Sequence, residues 1–245
     1  MYYFASDVHL GAGDKKTALR TEKRFVAWLE AVSHDAKEIW LLGDIFDFWY
    51  EYRMVVPKGF VRALGKLAEL ADRGIKIVFL TGNHDMWVDD YFAAECGMEV
   101  HTAPVFADIA GKRLFIAHGD NMAIDGKPLL KFMNWGFRSR FIRFMFSTFF
   151  PKNTAIKIGR WWSGSSRKSH GDKPAPEMLE PLREYGFSLG RTDGVECCIF
   201  GHFHIADDRT EGDTRVIFLS DWSDAPTYAV MTENGDVALK TFDGV

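Results

Sequence analysis

Five short apolar runs, each closed by a turn rich in His, Asp and Asn, constrain this chain more than any other feature. Tyr2–Ser6 runs into Asp7-Val8-His9, and Glu38–Leu42 into Gly43-Asp44-Ile45-Phe46-Asp47. Ile75–Thr81 precedes Gly82-Asn83-His84-Asp85, Arg113–Ala117 precedes His118-Gly119-Asp120, and Glu196–Phe200 precedes Gly201-His202-Phe203-His204. Runs this short, apolar and bounded by Gly or polar residues read as buried strands. Ala18–Val32 and Lys58–Arg73 carry the spacing of amphipathic helices, the second with Gly74 as its stop. The alternation is that of an α/β chain, a sheet covered by helices. Towards the end, Arg215–Leu219, Thr227–Thr232 and Val237–Phe242 read as antiparallel strands, with Asn234-Gly235 as a hairpin turn. The expectation is a mixed sheet in front and an antiparallel sheet behind, packed together with helices outside.

The polar turns carry the chemistry. Loops at the carboxyl ends of strands in open α/β sheets gather into one crevice, so five strands can assemble one site from distant sequence. Asp7 and His9, like His202 and His204, stand at i and i+2, which puts both side chains on one side of an extended segment. Gly43, Gly82, Gly119 and Gly201 relax the backbone where side chains must crowd an ion. The candidate ligands are Asp7, His9, Asp44, Asn83, His118, His202 and His204: four imidazoles, two carboxylates and one amide oxygen. Without a thiolate the set suits manganese, iron, zinc or cobalt rather than a sulfur-bound structural zinc. Seven ligands are too many for one catalytic ion and suit two that share a carboxylate. Such a pair, about 3.5–4 Å apart, clamps a phosphoryl oxygen and activates a water near neutral pH. A binding scaffold that had lost catalysis would lack some of these ligands, and here all seven are present.

In this order the motifs D-x-H, G-D-x-x-D, G-N-H-D, H-G-D and G-H-x-H resemble the calcineurin-like metallophosphoesterase superfamily over nearly the whole chain. Within it, Phe4–Gly11, Gly43–Trp49 and a basic aromatic segment after Asp120 are most similar to the UDP-2,3-diacylglucosamine hydrolases of lipid A synthesis. The resemblance implies a four-layer αββα sandwich of two mixed sheets with a helical insertion over the site. It also implies two ions, manganese first among the metals above. Asp7, His9 and His204 would bind one ion, Asn83, His118 and His202 the other, and Asp44 would bridge. The implied reaction is hydrolysis of the pyrophosphate of UDP-2,3-diacylglucosamine to UMP and 2,3-diacylglucosamine 1-phosphate. The alternative is another metal-dependent phosphodiesterase or phosphatase acting on nucleotides or nucleic acid. Asp44, Asn83 and His84 are the candidate catalytic residues, with Asn83, His84 and His202 also facing substrate. His84 departs from the Arg that the best-known hydrolases carry there; it suits a general acid or a donor to a phosphoryl oxygen. Asp47 reads either as an acceptor that orients a histidine or as a helix cap.

Composition sets one segment apart. The 245-residue chain has a net charge of −4, yet ten Lys or Arg lie between Lys127 and Lys168 with no Asp or Glu among them, leaving −14 elsewhere. Ten aromatics share that stretch. The expectation is one domain, 1–245, with residues 121–170 as a helical lid broken by Pro128, Gly136, Pro151 and Gly164. Arg138, Arg140 and Arg143, interleaved with Phe137, Phe141, Ile142 and Phe144, suit an anionic membrane surface or a groove for acyl chains. Core packing with snorkelling Arg stems, or base stacking on a single strand, accounts for the same composition, although nucleic acid is not the expected partner. Asp125, Ser166, Arg167 and Lys168 are candidates to hold the substrate's phosphate or sugar hydroxyls.

Three cysteines, Cys96 and the adjacent Cys197 and Cys198, offer neither a disulfide framework nor a C-x-x-C metal motif. No apolar run reaches the roughly 18–20 residues of a membrane span. Met1–Ser6 has no basic leader before it, which predicts a cytoplasmic chain that meets the inner membrane peripherally, from its cytoplasmic face.

Overall fold

The computed structural model describes residues 1–120, 176–223 and 225–244, together with 122, 136, 139, 144, 145 and 154. Two mixed sheets face each other. The first has the order β11-β10-β1-β2-β3-β4 and is built from β1 (Tyr2–Ala5), β2 (Glu38–Leu42), β3 (Lys76–Leu80), β4 (Glu99–His101), β10 (Thr227–Met231) and β11 (Val237–Thr241). The second has the order β5-β6-β7-β9-β8, from β5 (Val105–Ile109), β6 (Lys112–Ala117), β7 (Cys197–Phe200), β8 (Asp207–Glu211) and β9 (Thr214–Phe218). Helices α1 (Lys15–Val32), α2 (Val61–Asp72) and α3 (Tyr91–Cys96) cover the first sheet, and α4 (Glu180–Asp193) covers the second.

The inner strands β1, β2, β3, β6 and β7 are apolar on both faces because each face meets a different layer. Tyr3, Ala5, Ile39, Leu41, Ile77 and Phe79 pack on Phe25, Trp28, Leu29, Leu67 and Leu70 of the helices. Their neighbours Phe4, Trp40, Leu42, Val78 and Leu80 point the other way, onto Leu114, Ile116, Ile199 and Ile217 of the second sheet. Phe115, Cys198, Phe200 and Val216 then meet Leu179, Leu182 and Leu189 on the far side. Period-2 alternation therefore sorts side chains between two cores rather than between core and water. All three cysteines are buried and free.

The architecture is the expected four layers, with corrections. The rear sheet is mixed rather than antiparallel: β9 runs parallel to β7, and only β8 and β5 pair antiparallel within it. The β10–β11 hairpin, turning at Gly235 (φ 86°), belongs to the first sheet, where β10 pairs antiparallel with β1. α1 begins three residues before Ala18 because the Asp14 side chain accepts the Thr17 N–H at 2.7 Å, which caps the first turn. α2 begins at Val61 and not Lys58, because Gly59 and Phe60 sit at φ 120° and 59°, outside helical geometry. The 121–170 segment, with Asp125, Ser166, Arg167 and Lys168, falls outside the described residues apart from isolated positions. No helix among the described residues is long and apolar enough to cross a membrane.

Candidate metal centre

β1, β2 and β3 are mutually parallel, as are β6 and β7, so their carboxyl ends point the same way in each sheet. The turns that leave them are tied to one another through the main chain. Asp7 N donates to Gly43 O (3.1 Å), His9 N to Asp44 O (2.9 Å) and Gly201 N to His118 O (3.0 Å). Trp222 N, from the loop after β9, donates to Asp7 O at 3.2 Å. One rigid seam thus joins segments two hundred residues apart.

The ligand residues converge by a route other than strand alternation. Asp7 (φ 54°), His9 (49°), Asp44 (52°), His202 (72°) and His204 (57°) all occupy the left-handed region. That conformation is uncommon for residues with a Cβ, and its concentration at one place marks a functional site. The i, i+2 pairs therefore meet through left-handed turns and not along an extended segment. Two glycines serve by lacking a side chain: a Cβ at Gly82 would strike the Asp44 carboxylate, and one at Gly201 would strike Ser6 Oγ and Asp7 Oδ2.

Asp7, His9 and His204 form one cluster of ligand atoms, and Asp44, His118 and His202 another, each with its atoms within 4.8 Å of one another. His9, Asp44 and His84 form a third that overlaps both. His204 Nε2 lies 3.2 Å from Asp7 Oδ1, and His9 Nε2 lies 3.0 Å from His204 Nε2. On the other side His118 Nε2 is 3.3 Å from Asp44 Oδ2 and 3.3 Å from Asn83 Oδ1. Asp44 stands between the two groups.

The imidazoles are aimed by their second nitrogens. His118 Nδ1 donates to Leu42 O at 2.8 Å, which leaves Nε2 as the nitrogen that faces Asp44. His84 Nδ1 donates to Asp47 O at 2.9 Å, and its Nε2 stands 3.8 Å from Asp44 Oδ2. Asp47 thus acts on His84 through its main chain, while its carboxylate lies 4.0 Å from His9 Nδ1. No helix starts there, since α2 begins at Val61. Asp7 Oδ2 accepts the His202 N–H at 2.9 Å, and Asp44 Oδ1 accepts the His84 N–H at 2.8 Å.

Electrostatics keep the two carboxylates and two of the imidazoles, His9 and His202, in ligand form. Burial works to raise the Asp7 carboxyl, but the adjacent His204 imidazole outweighs it and holds it well below the usual range. Burial likewise opposes ionisation of Asp44, and the charges of His118 and His84 overcome it. Burial pushes His9 down to about 3 and His202, helped by the charge of His118, down to about 4. His118 and His204 are desolvated too, but Asp44 and Asp7 respectively raise them above the ordinary value. A site whose histidines and carboxylates lean on one another this way is set up to exchange those protons for cations.

The residues fit divalent ions on two further observations. Asp7 Oδ1 and His9 Nδ1 are buried without a hydrogen-bond partner among the described residues. Two imidazole nitrogens face each other at 3.0 Å beside that carboxylate, an arrangement a shared cation would resolve. All donors are imidazole nitrogen, carboxylate oxygen or amide oxygen, the set for a borderline or hard ion.

Asp7, His9, Asp44, Asn83, His84, His118, His202 and His204 are therefore together, and Asp47 borders them. Sequence reading missed Asp85 as a brace. Its carboxylate is fully buried and accepts backbone N–H groups from Gly82 (2.7 Å), Ile45 (2.8 Å), Asp44 (3.1 Å) and Phe46 (3.3 Å). Burial and the charge of Asp44 push its pKa up to about 7, against the pull of those donors. The signal was present as the last residue of the Gly82–Asp85 turn.

The model of the family described as calcineurin-like phosphoesterase matches residues 2–206. A UDP-2,3-diacylglucosamine hydrolase of Porphyromonas gingivalis is 37% identical over 242 residues, covering 93% of this chain and 92% of that protein. The enzyme of the same name from Neisseria meningitidis serogroup B is 28% identical, covering 97% and 95%. Among solved structures, a novel archaeal phosphodiesterase superposes with a TM-score of 0.47 at 14% identity, covering 98% of each chain.

Proposed function

The chain belongs to the calcineurin-like phosphoesterase family, hydrolases built around a dinuclear metal site, and from that premise we propose that it cleaves the pyrophosphate bond of UDP-2,3-diacylglucosamine. The products would be UMP and 2,3-diacylglucosamine 1-phosphate, a step of lipid A biosynthesis. The observation that carries this reading is a relative of that name at 37% identity, aligned over nine-tenths of both chains. A likeness that ran only through the metal motifs would support the family and not the substrate.

In this reading Asp7, His9 and His204 hold one ion, Asn83, His118 and His202 the other, and Asp44 both. Two divalent ions, manganese by preference, would supply Lewis-acid polarisation of the phosphoryl group and a nucleophile at neutral pH. The chain's own residues do the rest. Asp7 and Asp44 are kept ionised by the neighbouring histidines, and burial keeps His9 and His202 neutral. The Leu42 carbonyl fixes which nitrogen of His118 faces the site. With Nδ1 committed to Asp47 O, His84 presents Nε2 to the reaction centre; as an imidazolium it donates to the leaving oxygen. Asn83 and His202 also border the substrate's phosphoryl oxygens. Residues 121–170, with Asp125, Ser166, Arg167 and Lys168, serve as the lid over the site within a single 1–245 domain. The unopposed positive charge and aromatics of residues 127–168 suit the acyl chains and the anionic cytoplasmic face of the inner membrane.

The test is direct. Metal-free protein given manganese and UDP-2,3-diacylglucosamine releases UMP, and the Asp44→Ala variant does not. Metal-dependent cleavage of bis(p-nitrophenyl) phosphate without UMP release would keep the phosphoesterase and remove the lipid substrate.

A further inference from the structure

One end of the described molecule combines exposed apolar side chains with cations that the fold itself does not use. Beyond Asp47 the chain leaves the carboxyl end of β2 and makes a tight turn. Tyr52 N donates to Val55 O at 3.0 Å, and Arg53 and Met54 form the tip. The turn stands on a fixed base, since Glu51 N donates to Trp87 O at 2.9 Å. Met54 is 85% exposed, Val55 43%, and Val61, the first residue of α2, 75%. Exposed apolar residues scattered singly are ordinary, but these three fall within one short loop. Phe60 anchors that loop beside the metal centre. Its ring centroid lies 5.1 Å from that of Phe46, which sits between Asp44 and Asp47. A Cβ on Gly11, just after His9, would meet the Phe60 ring at 3.0 Å. The loop and the metal ligands thus share the carboxyl edge of the first sheet.

Charge at this end runs against the helices. The amino ends of α1 and α2 lie here because each helix follows a strand's carboxyl end, and a helix amino end favours acids. Instead Lys15 and Lys16 open α1 behind its Asp14 cap and Arg62 opens α2, with no acid in either first turn. Residues 52–68 contain Arg53, Lys58, Arg62 and Lys66 and no Asp or Glu. Lys66 is tied to Glu30 and Glu69, and Arg62 lies 3.7 Å from the buried Glu22. Arg53 and Lys58 are exposed and form no ion pair among the described residues. Cations held where the helix dipole opposes them call for an anionic counterpart outside the protein, and the Met and Val beside them for an apolar one. A bilayer with anionic headgroups supplies both. Nucleic acid would meet the cations but not the aliphatic side chains, because bases stack on aromatics. We propose that the 53–61 loop and the first turns of α1 and α2 dock on an anionic bilayer. Met54 and Val61 enter the headgroup region, and Arg53 and Lys58 meet lipid phosphates. The choice of a bilayer rests on the lipid-substrate reading above, and the docking holds the edge that carries the metal ligands against the membrane that contains the substrate.

The experiment measures partition of the full chain onto vesicles of equal parts phosphatidylglycerol and phosphatidylcholine, with phosphatidylcholine alone as the neutral surface. A cation at an anionic surface is worth about fivefold in affinity, so Arg53→Gln/Lys58→Gln lowers partition roughly 25-fold. Met54→Asp/Val61→Asp lowers it at least as far, since it removes the apolar contact and adds two like charges. Lys37→Gln/Lys76→Gln removes the same charge from the amino ends of β2 and β3, at the opposite edge of the sheet, and changes partition less than about twofold. All three variants cleave bis(p-nitrophenyl) phosphate as the wild type does, which reports an intact fold. Wild-type partition no greater than on neutral vesicles, unchanged partition in both loop variants, or an equal fall in the Lys37/Lys76 pair overturns the assignment. So does a wild-type dimer that Met54→Asp/Val61→Asp dissociates, or single-stranded DNA binding that the loop variants lose, with vesicle binding intact in either case. If the wild type binds vesicles through the loop but releases no UMP from the lipid, the substrate reading falls and the docking surface stands.

Discussion

Replacing Asp85 by Asn isolates the brace from the metal ligands it supports. The carboxylate accepts two N–H groups on each oxygen, Gly82 and Asp44 on one, Ile45 and Phe46 on the other. An amide keeps one acceptor oxygen and turns an NH2 group towards the other pair. With its oxygen towards Gly82 and Asp44, the N–H groups of Ile45 (2.8 Å) and Phe46 (3.3 Å) are left facing a donor inside the protein. An orphaned buried donor costs about 1–3 kcal/mol, and the longer bond counts at the low end, so the expected loss is about 2–4 kcal/mol. For a chain of this size that lowers the melting temperature by roughly 5–15 °C. The assay is urea and thermal unfolding in chelator, so that ion binding does not contribute. It is run at pH 8.5, above the value of about 7 to which the carboxyl is pushed. Because Gly82 and Asp44 belong to the two turns that carry ligands, manganese affinity by calorimetry should also fall about 10- to 100-fold. Stability within 0.5 kcal/mol of wild type (roughly the scatter of a neutral substitution) would refute the reasoning.

Two further outcomes follow from the same geometry. Gly201→Ala forces a methyl group against Ser6 Oγ and Asp7 Oδ2, so the first ion's affinity should drop at least about tenfold, with activity partly rescued by excess manganese; unchanged titration would mean that the turn relaxes freely. In metal-free protein, acid should destabilise the fold between pH 6 and 5. His9 and His202, pushed down to about 3 and about 4, stay neutral when folded while the unfolded chain takes up two protons below about 6.5. Asp85, pushed up to about 7, binds one proton only in the folded chain and offsets one of them. The unfolded state therefore binds one more proton, and stability falls by about 1.4 kcal/mol per pH unit of acidification. His118 and His204 are protonated in both states over that window and do not alter the slope. A flat or opposite slope in urea titrations at pH 6 and 5 would count against it.

The sequence by itself determined the layers and the membership of the site. Strands buried on both faces must be short, apolar runs, so β1, β2, β3, β6 and β7 stood out, and the residues that end them had to share an edge. Elements whose sequence is shaped by their neighbours were hidden. β8 reads Asp-Asp-Arg-Thr-Glu, with four of its five residues exposed, since an edge strand needs no apolar face. α4 carries Gly186 and Gly190, poor helix formers, because side chains there would strike Val216 and Thr214 of the sheet beneath. The parallel course of β9 follows from β8 taking the sheet's edge, which local pattern does not encode. At the site, the identities of the ligands were legible, but the left-handed turns at Asp7, His9, Asp44, His202 and His204 were not. Those conformations cost energy locally and are held by hydrogen bonds between segments far apart in the chain, such as Asp85 to the β2 turn and Asp7 to His202. Only the assembled fold supplies those partners, so only the tertiary structure could decide how the ligands meet.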